Sequence, residues 1–203
     1  MNRIKLSRLK IPALIALMVL SPGLYAQKAD INPKQSVLEW TGKKITGEHN
    51  GSISLSNGEL LFSKNLLTGG FFEIDMNSII CTDISDKKSN TRLVDHLKSD
   101  DFFGVRTYPS ARLEITHVQH KEGINYTIIG SLTIKGSTHA ISFPATVAIV
   151  NETITASADI TFDRSKYNIK FSSASFFDNL GDEMIYDDIE LKVKLTGLMK
   201  LSK

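Results

Sequence analysis

The stretch HLKSDDFFGVRTYPSARLEI, residues 96–115, sets His96, Asp100, Asp101 and Tyr108 close together, residue types that bind metal ions or move protons. The spacing argues against both roles. On a strand the adjacent carboxylates of Asp100 and Asp101 point to opposite faces, and only in a turn could both approach one ion. Ser99 and Asp100 instead follow a short helical pattern and precede Phe102 and Phe103, where capping and turn acceptors are expected. Asp182-Glu183 and Asp187-Asp188 have no histidine at ligand spacing, and calcium-loop spacing is absent. The five histidines, His49, His96, His117, His120 and His139, form neither HExxH nor His-x-His. The sequence contains no GxSxG, and it lacks the phosphate-binding GxxxxGK[ST]. Cys81 is the one cysteine, which excludes an intramolecular disulfide and a CxxC pair and reads as a small, half-buried hydrophobe. No catalytic residue and no metal ligand is assigned.

The elements that would position these residues are strands. Phe72, Ile74 and Met76 alternate with Glu73, Asp75 and Asn77. The same period of two places Tyr126, Ile128, Leu132 and Ile134 on one face, then Ile141, Phe143, Ala145, Val147 and Ile149. It continues through Ile154, Ala156, Ala158, Ile160 and Phe162, and through Ile189, Leu191, Val193 and Leu195. Such alternation marks antiparallel strands with one dry face. Further strands fall near 36–45, 51–56, 59–63 and 110–118, giving eight or nine. Asn50-Gly51, Asn57-Gly58, Glu122-Gly123, Lys135-Gly136 and Val150-Asn151-Glu152 read as the turns between strands. One helix is expected over 89–99, capped by Ser89 or Asn90, with Leu93, Val94 and Leu97 on one face. Residues 164–187 form a long irregular segment of the kind used as a lid or binding loop. So many strands imply an all-β closed structure, and a barrel of about eight strands is either filled by its own side chains or holds one small ligand. Periodicity leaves that choice open, although Gly130, Ala145, Ala156 and Ala158 leave room.

The ends set the context. MNRIKLSRLK carries four positive charges and no acid, IPALIALMVL is almost wholly apolar, and SPGLYA ends in small residues. This is the layout of a secretory signal peptide over residues 1–26, cleaved after Ala26, and its apolar run is shorter than the roughly 18 residues a membrane span requires. Removing Arg3, Lys5, Arg8 and Lys10 from the 24 basic residues leaves 20 against 22 acidic ones. The remaining chain, 27–203, is a single slightly acidic domain with no membrane span and no basic surplus of the sort that binds nucleic acid.

HLKSDDFFGVRTYP, the preceding IDMNSIICTDI and the later GSLTIKGSTHAISFPATV resemble the YceI-like polyisoprenoid-binding family, whose pattern runs His-Leu, Asp-Phe, Tyr-Pro in that order. The resemblance spans about residues 34–200. VLEWTGKKITGEHNGSI, DRSKYNIKF and SFFDNLGDEMIYDDIEL look like the branch found in Bacteroidetes-type bacteria. Ala140 departs from the family, many members having proline there.

The resemblance implies an extended antiparallel eight-stranded lipocalin-like β-barrel with one short helix. It further implies export to the periplasm, no cofactor, and a polyisoprenoid, isoprenoid quinone or other long-chain lipid as ligand, held for transport or storage. A homodimer is compatible with it. The alternatives are a periplasmic stress or protein-interaction module in which lipid is incidental, and an enzyme acting on isoprenoids. With the alternation, it selects Phe72, Ile74, Met76, Leu113, Ile128, Leu132, Phe143, Val147 and Phe162 as lumen residues. Trp40, Phe176 and Phe177 are placed near an opening, and His49 and Arg164 are head-group candidates. The opening stretch is then a structural corner of Asp100, Phe102, Tyr108 and Pro109, and Asp100→Ala is expected to cost stability more than ligand affinity.

Overall fold

A computed structural model describes residues 27–200; the signal peptide expected over 1–26 lies outside the described residues. The strands are β1 (Gln27–Ile31), β2 (Val37–Lys44), β3 (Gly47–Ser63), β4 (Leu66–Cys81), β5 (Ser110–His120), β6 (Asn125–Ile134), β7 (Ser137–Val150), β8 (Thr153–Asp163) and β9 (Ile185–Lys200), with one α-helix, α1 (Lys87–Lys98). They form one antiparallel ring in the order β1-β3-β2-β9-β8-β7-β6-β5-β4, with β3 also bonded to β4.

Nine strands make eight staves because β1 and β2 share one position. β1 bonds to Glu59–Phe62 of β3 and to Gly197–Lys200 of β9, whereas β2 bonds to the opposite ends of the same two strands. Between them Pro33, which has no N–H to give a ladder, opens a short 3-10 turn, and the Asn32 carboxamide accepts from Lys34 N at 3.0 Å. The stave is bonded on both sides along its length, so the barrel has no free edge. Strand β1 gave no sequence signal, being five residues long.

Two of the glycine pairs read as turns lie inside β3 instead. At Gly51, a Cβ would come within 1.8 Å of the Ile80 carbonyl oxygen and 2.7 Å of the Trp40 ring, so the glycine is there for a close approach of strands. Asn57-Gly58 sits at a shift of register against β4, where Asn57 Oδ1 accepts from Gly58 N at 2.9 Å. The turns that replace them are Ile45-Thr46 and Lys64-Asn65. The second has φ of 51° and 62°, left-handed geometry that the twist of a two-residue hairpin demands even without glycine. Lys135-Gly136 and Asn151-Glu152 are turns as read, all four residues at positive φ.

Helix α1 begins two residues earlier than expected, and its cap is Asp86, whose carboxylate accepts from Ser89 N at 2.8 Å. Asn90 serves differently: its Nδ2 donates to the Cys81 and Ile84 carbonyls, both at 3.0 Å, tying the helix to the end of β4. Beyond α1 the chain turns through main-chain bonds, Gly104 N to Ser99 O at 2.8 Å and Tyr108 N to Gly104 O at 2.9 Å. Gly104 is at φ 57°. Phe102 and Val105 are buried beneath the turn.

Lys135 locks this corner to the segment after β8, its Nζ donating to the Asp100 carbonyl at 2.7 Å and to the Asn168 carbonyl at 3.4 Å. Burial pushes the Lys135 ammonium below its usual range, with Asp100 and Asp101 opposing. The Asp100 side chain is exposed and makes no hydrogen bond among the described residues; its carbonyl is what the corner uses. The expected cost of Asp100→Ala is corrected accordingly. Chemical denaturation should find Asp100→Ala within about 0.5 kcal/mol of the parent. Lys135→Met should lose about 1.5–3 kcal/mol, the range for a hydrogen bond from a charged group.

Candidate ligand-binding lumen

The inward half of each alternating strand encloses a hollow interior in two chambers. The upper one, at the end where α1 packs, has a volume of about 170 Å³, and the lower one about 100 Å³. Leu38 of β2, Ile74 of β4, Leu132 of β6 and Leu191 of β9 line both, so the chambers meet at a waist made by four staves. Around the lower chamber are Phe72, Leu113, Ile128, Phe143 and Val147, with Ala145, Ala156 and Ala158 where larger side chains would fill the space. Phe62, Tyr126 and Ile154 are buried but line neither chamber. Their positions at the far ends of β3, β6 and β8 close the barrel below.

Trp40, Met76 and Phe162 line the upper chamber, with Leu93 and Leu97 from α1 and Phe102 and Phe103 from the corner. Trp40 Nε1 donates to the Ile80 carbonyl at 3.2 Å, which leaves the indole face to the cavity. Exposed Lys44, together with Lys43 and His49, completes the lining, so this end reaches solvent.

Phe176 and Phe177 line neither chamber. They lie on the outside of the segment after β8, 43% and 50% exposed. Both residues' amides bond to the Ser173 carbonyl at 3.1 Å, forming a tight turn, while the Ser173 and Ser175 hydroxyls donate to Asp187 Oδ2 at 2.9 and 2.6 Å. That stitching turns the two rings outward, where Phe176 meets Lys170 Nζ at 4.9 Å from the ring centroid.

Arg164 also needs correction as a head-group candidate. It is 1% exposed, and its donors are spent inside the protein: Nε on the Tyr186 carbonyl at 3.1 Å, Nη1 on Ile169 at 3.0 Å and Nη2 on Ile185 at 3.0 Å. Asp187 Oδ1 faces Nη2 at 3.2 Å. Burial lowers the guanidinium pKa, opposed by Asp187 and Asp163. Arg164 is therefore the peg on which residues 164–187 hang across the upper end.

His49 is at the mouth, with Nδ1 against Asp83 Oδ2 at 2.8 Å. The other Asp83 oxygen accepts from Asn50 N at 3.0 Å and from the Cys81 thiol at 3.2 Å. Burial works against the Asp83 carboxylate, yet His49, Asn50 and Cys81 together outweigh it and hold the pKa at about 2. Cys81 is buried, and burial pushes its thiol up. No group of three potential metal ligands occurs among the described residues.

Several lumen residues were legible as alternation yet not singled out, chiefly Ile189, Val193 and Leu195 of β9, with Leu55 of β3. Leu93, Leu97, Phe102 and Phe103 gave no local signal of a lumen role, because it depends on how the helix docks.

A closed antiparallel barrel with a hollow apolar interior defines the class: a lipocalin-like barrel. Within it the chain belongs to the YceI-like family, the sequence pattern of the YceI-like domain matching residues 30–197. The fold is similar to that of BcnA from Burkholderia cenocepacia, at 24% identity and TM-score 0.66, covering 82% of this chain and 99% of that one. It is also similar to a polyisoprenoid binding domain from Saccharophagus degradans implicated in plant cell wall breakdown, at 14% identity and TM-score 0.61, covering 85% and 98%. The Campylobacter jejuni YCEI protein shares 20% identity at TM-score 0.52, covering 68% and 75%. No curated protein matches the chain.

Arg164→Met, measured by urea unfolding, should destabilise by about 3–5 kcal/mol, because it takes the counter-charge from the Asp187 carboxylate and the donor from three carbonyls. The Asp83 carboxyl is held from its ordinary 3.8 down to about 2, so its share of stability is full above about pH 4 and is lost as the pH falls toward 2. Thermal melts across that window should show a shallower decline for Asp83→Asn than for the parent.

Proposed function

We propose that this is an exported, non-enzymatic lipid-binding protein that holds the tail of a polyisoprenoid or similar long-chain amphiphile in its lumen, for transport or storage in the periplasm. The observation that carries the reading is the pair of apolar chambers that adjoin at the waist, the upper one bordered by exposed Lys44. Each methylene moved from water into such a space contributes about 0.8 kcal/mol, and a five-carbon isoprene unit roughly 3 kcal/mol before ordering costs. A few units then bind tightly with no bond being made or broken. The Saccharophagus neighbour, described as a polyisoprenoid binding domain, supports the ligand class. Export rests on the basic, apolar and small-residue layout of the first 26 residues.

The outward Phe176 and Phe177 favour a second reading, in which the segment after β8 docks a protein and lumen lipid is incidental. One experiment separates the two. The chain is expressed with its leader, purified without detergent and extracted with organic solvent, and the extract is weighed by mass spectrometry. We expect close to one prenyl or other long-chain lipid per barrel, and a sharp reduction in Leu132→Trp, which fills the waist. An empty extract from the parent protein would remove the carrier reading.

A further inference from the structure

The ionisable side chains that line the upper chamber are Lys43, Lys44, His49 and Arg164; all are basic, and no acid joins them. This one-sidedness is local, since the chain from residue 27 on is slightly acidic overall. Two of the four are committed elsewhere, Arg164 to Asp187 and three carbonyls, and Lys43 to Glu190. Glu48 stands opposite Lys43 in the β2–β3 ladder, and Asp83 is bonded to His49.

Lys44 and His49 are left. The inward phase of Leu38, Trp40 and Gly42 carries through the irregularity between Gly42 and Lys44, so Lys44 ends on the lumen side of β2, paired with Gly47 and Ile185. It forms no ion pair or side-chain hydrogen bond among the described residues. His49 stands two pairs along the same ladder, directly across from Gly42 and so on the same face as Lys44. Its Nδ1 is fixed by Asp83, and Nε2 has no partner among the described residues. A ring anchored by a carboxylate through one nitrogen presents the other in a set direction.

Resting on the lumen reading above, we propose that the upper chamber selects amphiphiles whose head is an anion, a phosphate or a carboxylate, held at the mouth between the Lys44 ammonium and His49 Nε2. A neutral quinone or amide would leave the ammonium without an ionic partner, whereas an anion makes a charge-assisted bond at the boundary between apolar lumen and water. Phosphate suits both ring forms, because its oxygen accepts from an N–H and its hydroxyl donates to a lone pair.

The chain's single tryptophan, Trp40, lines the same chamber and supplies the readout. Geranylgeranyl phosphate, geranylgeranoic acid and geranylgeraniol share one tail and differ in the head, and are titrated below their micelle concentrations while Trp40 fluorescence is followed. The phosphate, and in lesser or equal measure the acid, should bind at least about tenfold more tightly than the alcohol. In the Lys44→Gln/His49→Gln double variant that advantage should fall to about twofold or less. Equal binding of all three heads by the parent, or an advantage that survives the double variant, would overturn the head-group assignment and leave the lumen reading standing. Failure of all three to bind would overturn both. An acid equal to the phosphate identifies charge alone as the selected property, and a weaker acid identifies the tetrahedral head.

Discussion

Closure of the sheet governs everything else in this molecule. Every second side chain of a closed ring points inward, and with eight staves the size of those side chains decides whether the interior is filled or hollow. The chain supplies Ala145, Ala156 and Ala158 on neighbouring staves where Phe or Leu would have plugged the lower chamber. Below them Phe62, Tyr126 and Ile154 are large and tightly buried. The small residues on β7 and β8 thus open space in a barrel that large side chains close at its lower end. The cost is lost dispersion contact along the chamber walls, which a hydrocarbon chain restores.

The upper end is built differently, being covered by packed elements and not plugged by inward side chains of the strands. Covering is delegated to α1, to the turn through Phe102 and to the segment hung from Arg164. Each is fastened by polar groups that reach across elements: Asn90 to the end of β4, Lys135 to the Asp100 carbonyl, Arg164 to Asp187 and the carbonyls around it. Polar fastening leaves the apolar wall continuous. It also explains why residues with the look of reactive groups cluster at this end while being occupied in holding it together.

Alternation was legible wherever a strand has one dry face and one wet face, which is why Phe72, Ile128, Phe143 and Phe162 could be placed from sequence. The reading failed where a residue's role depends on a partner distant in the chain. Gly51 resembled a turn because Asn-Gly usually is one, but the approach of the Ile80 carbonyl across the sheet leaves no room for a side chain there. Lys64-Asn65 carries no glycine, and its turn is imposed by the register of β3 on β4. Arg164 looked available because nothing nearby in sequence reveals the carbonyls of Ile169, Ile185 and Tyr186 that claim it. Phe176 and Phe177 were placed near an opening, yet the turn held by two serines on Asp187 carries them to the outer surface.

The divided stave bears on how the molecule comes together in time. Its two pieces are flanked by β3, the next strand in the chain, and by β9, the last. Hairpins from β3 to β8 can zip as they are made, whereas the seam joining β1 and β2 to β9 spans most of the chain and carries the greatest loop-closure entropy. Until residues 185–200 arrive, the array is an open curved sheet with two raw edges and a greasy concave face. The hollow interior is thus enclosed late, when β9 meets β1 and β2.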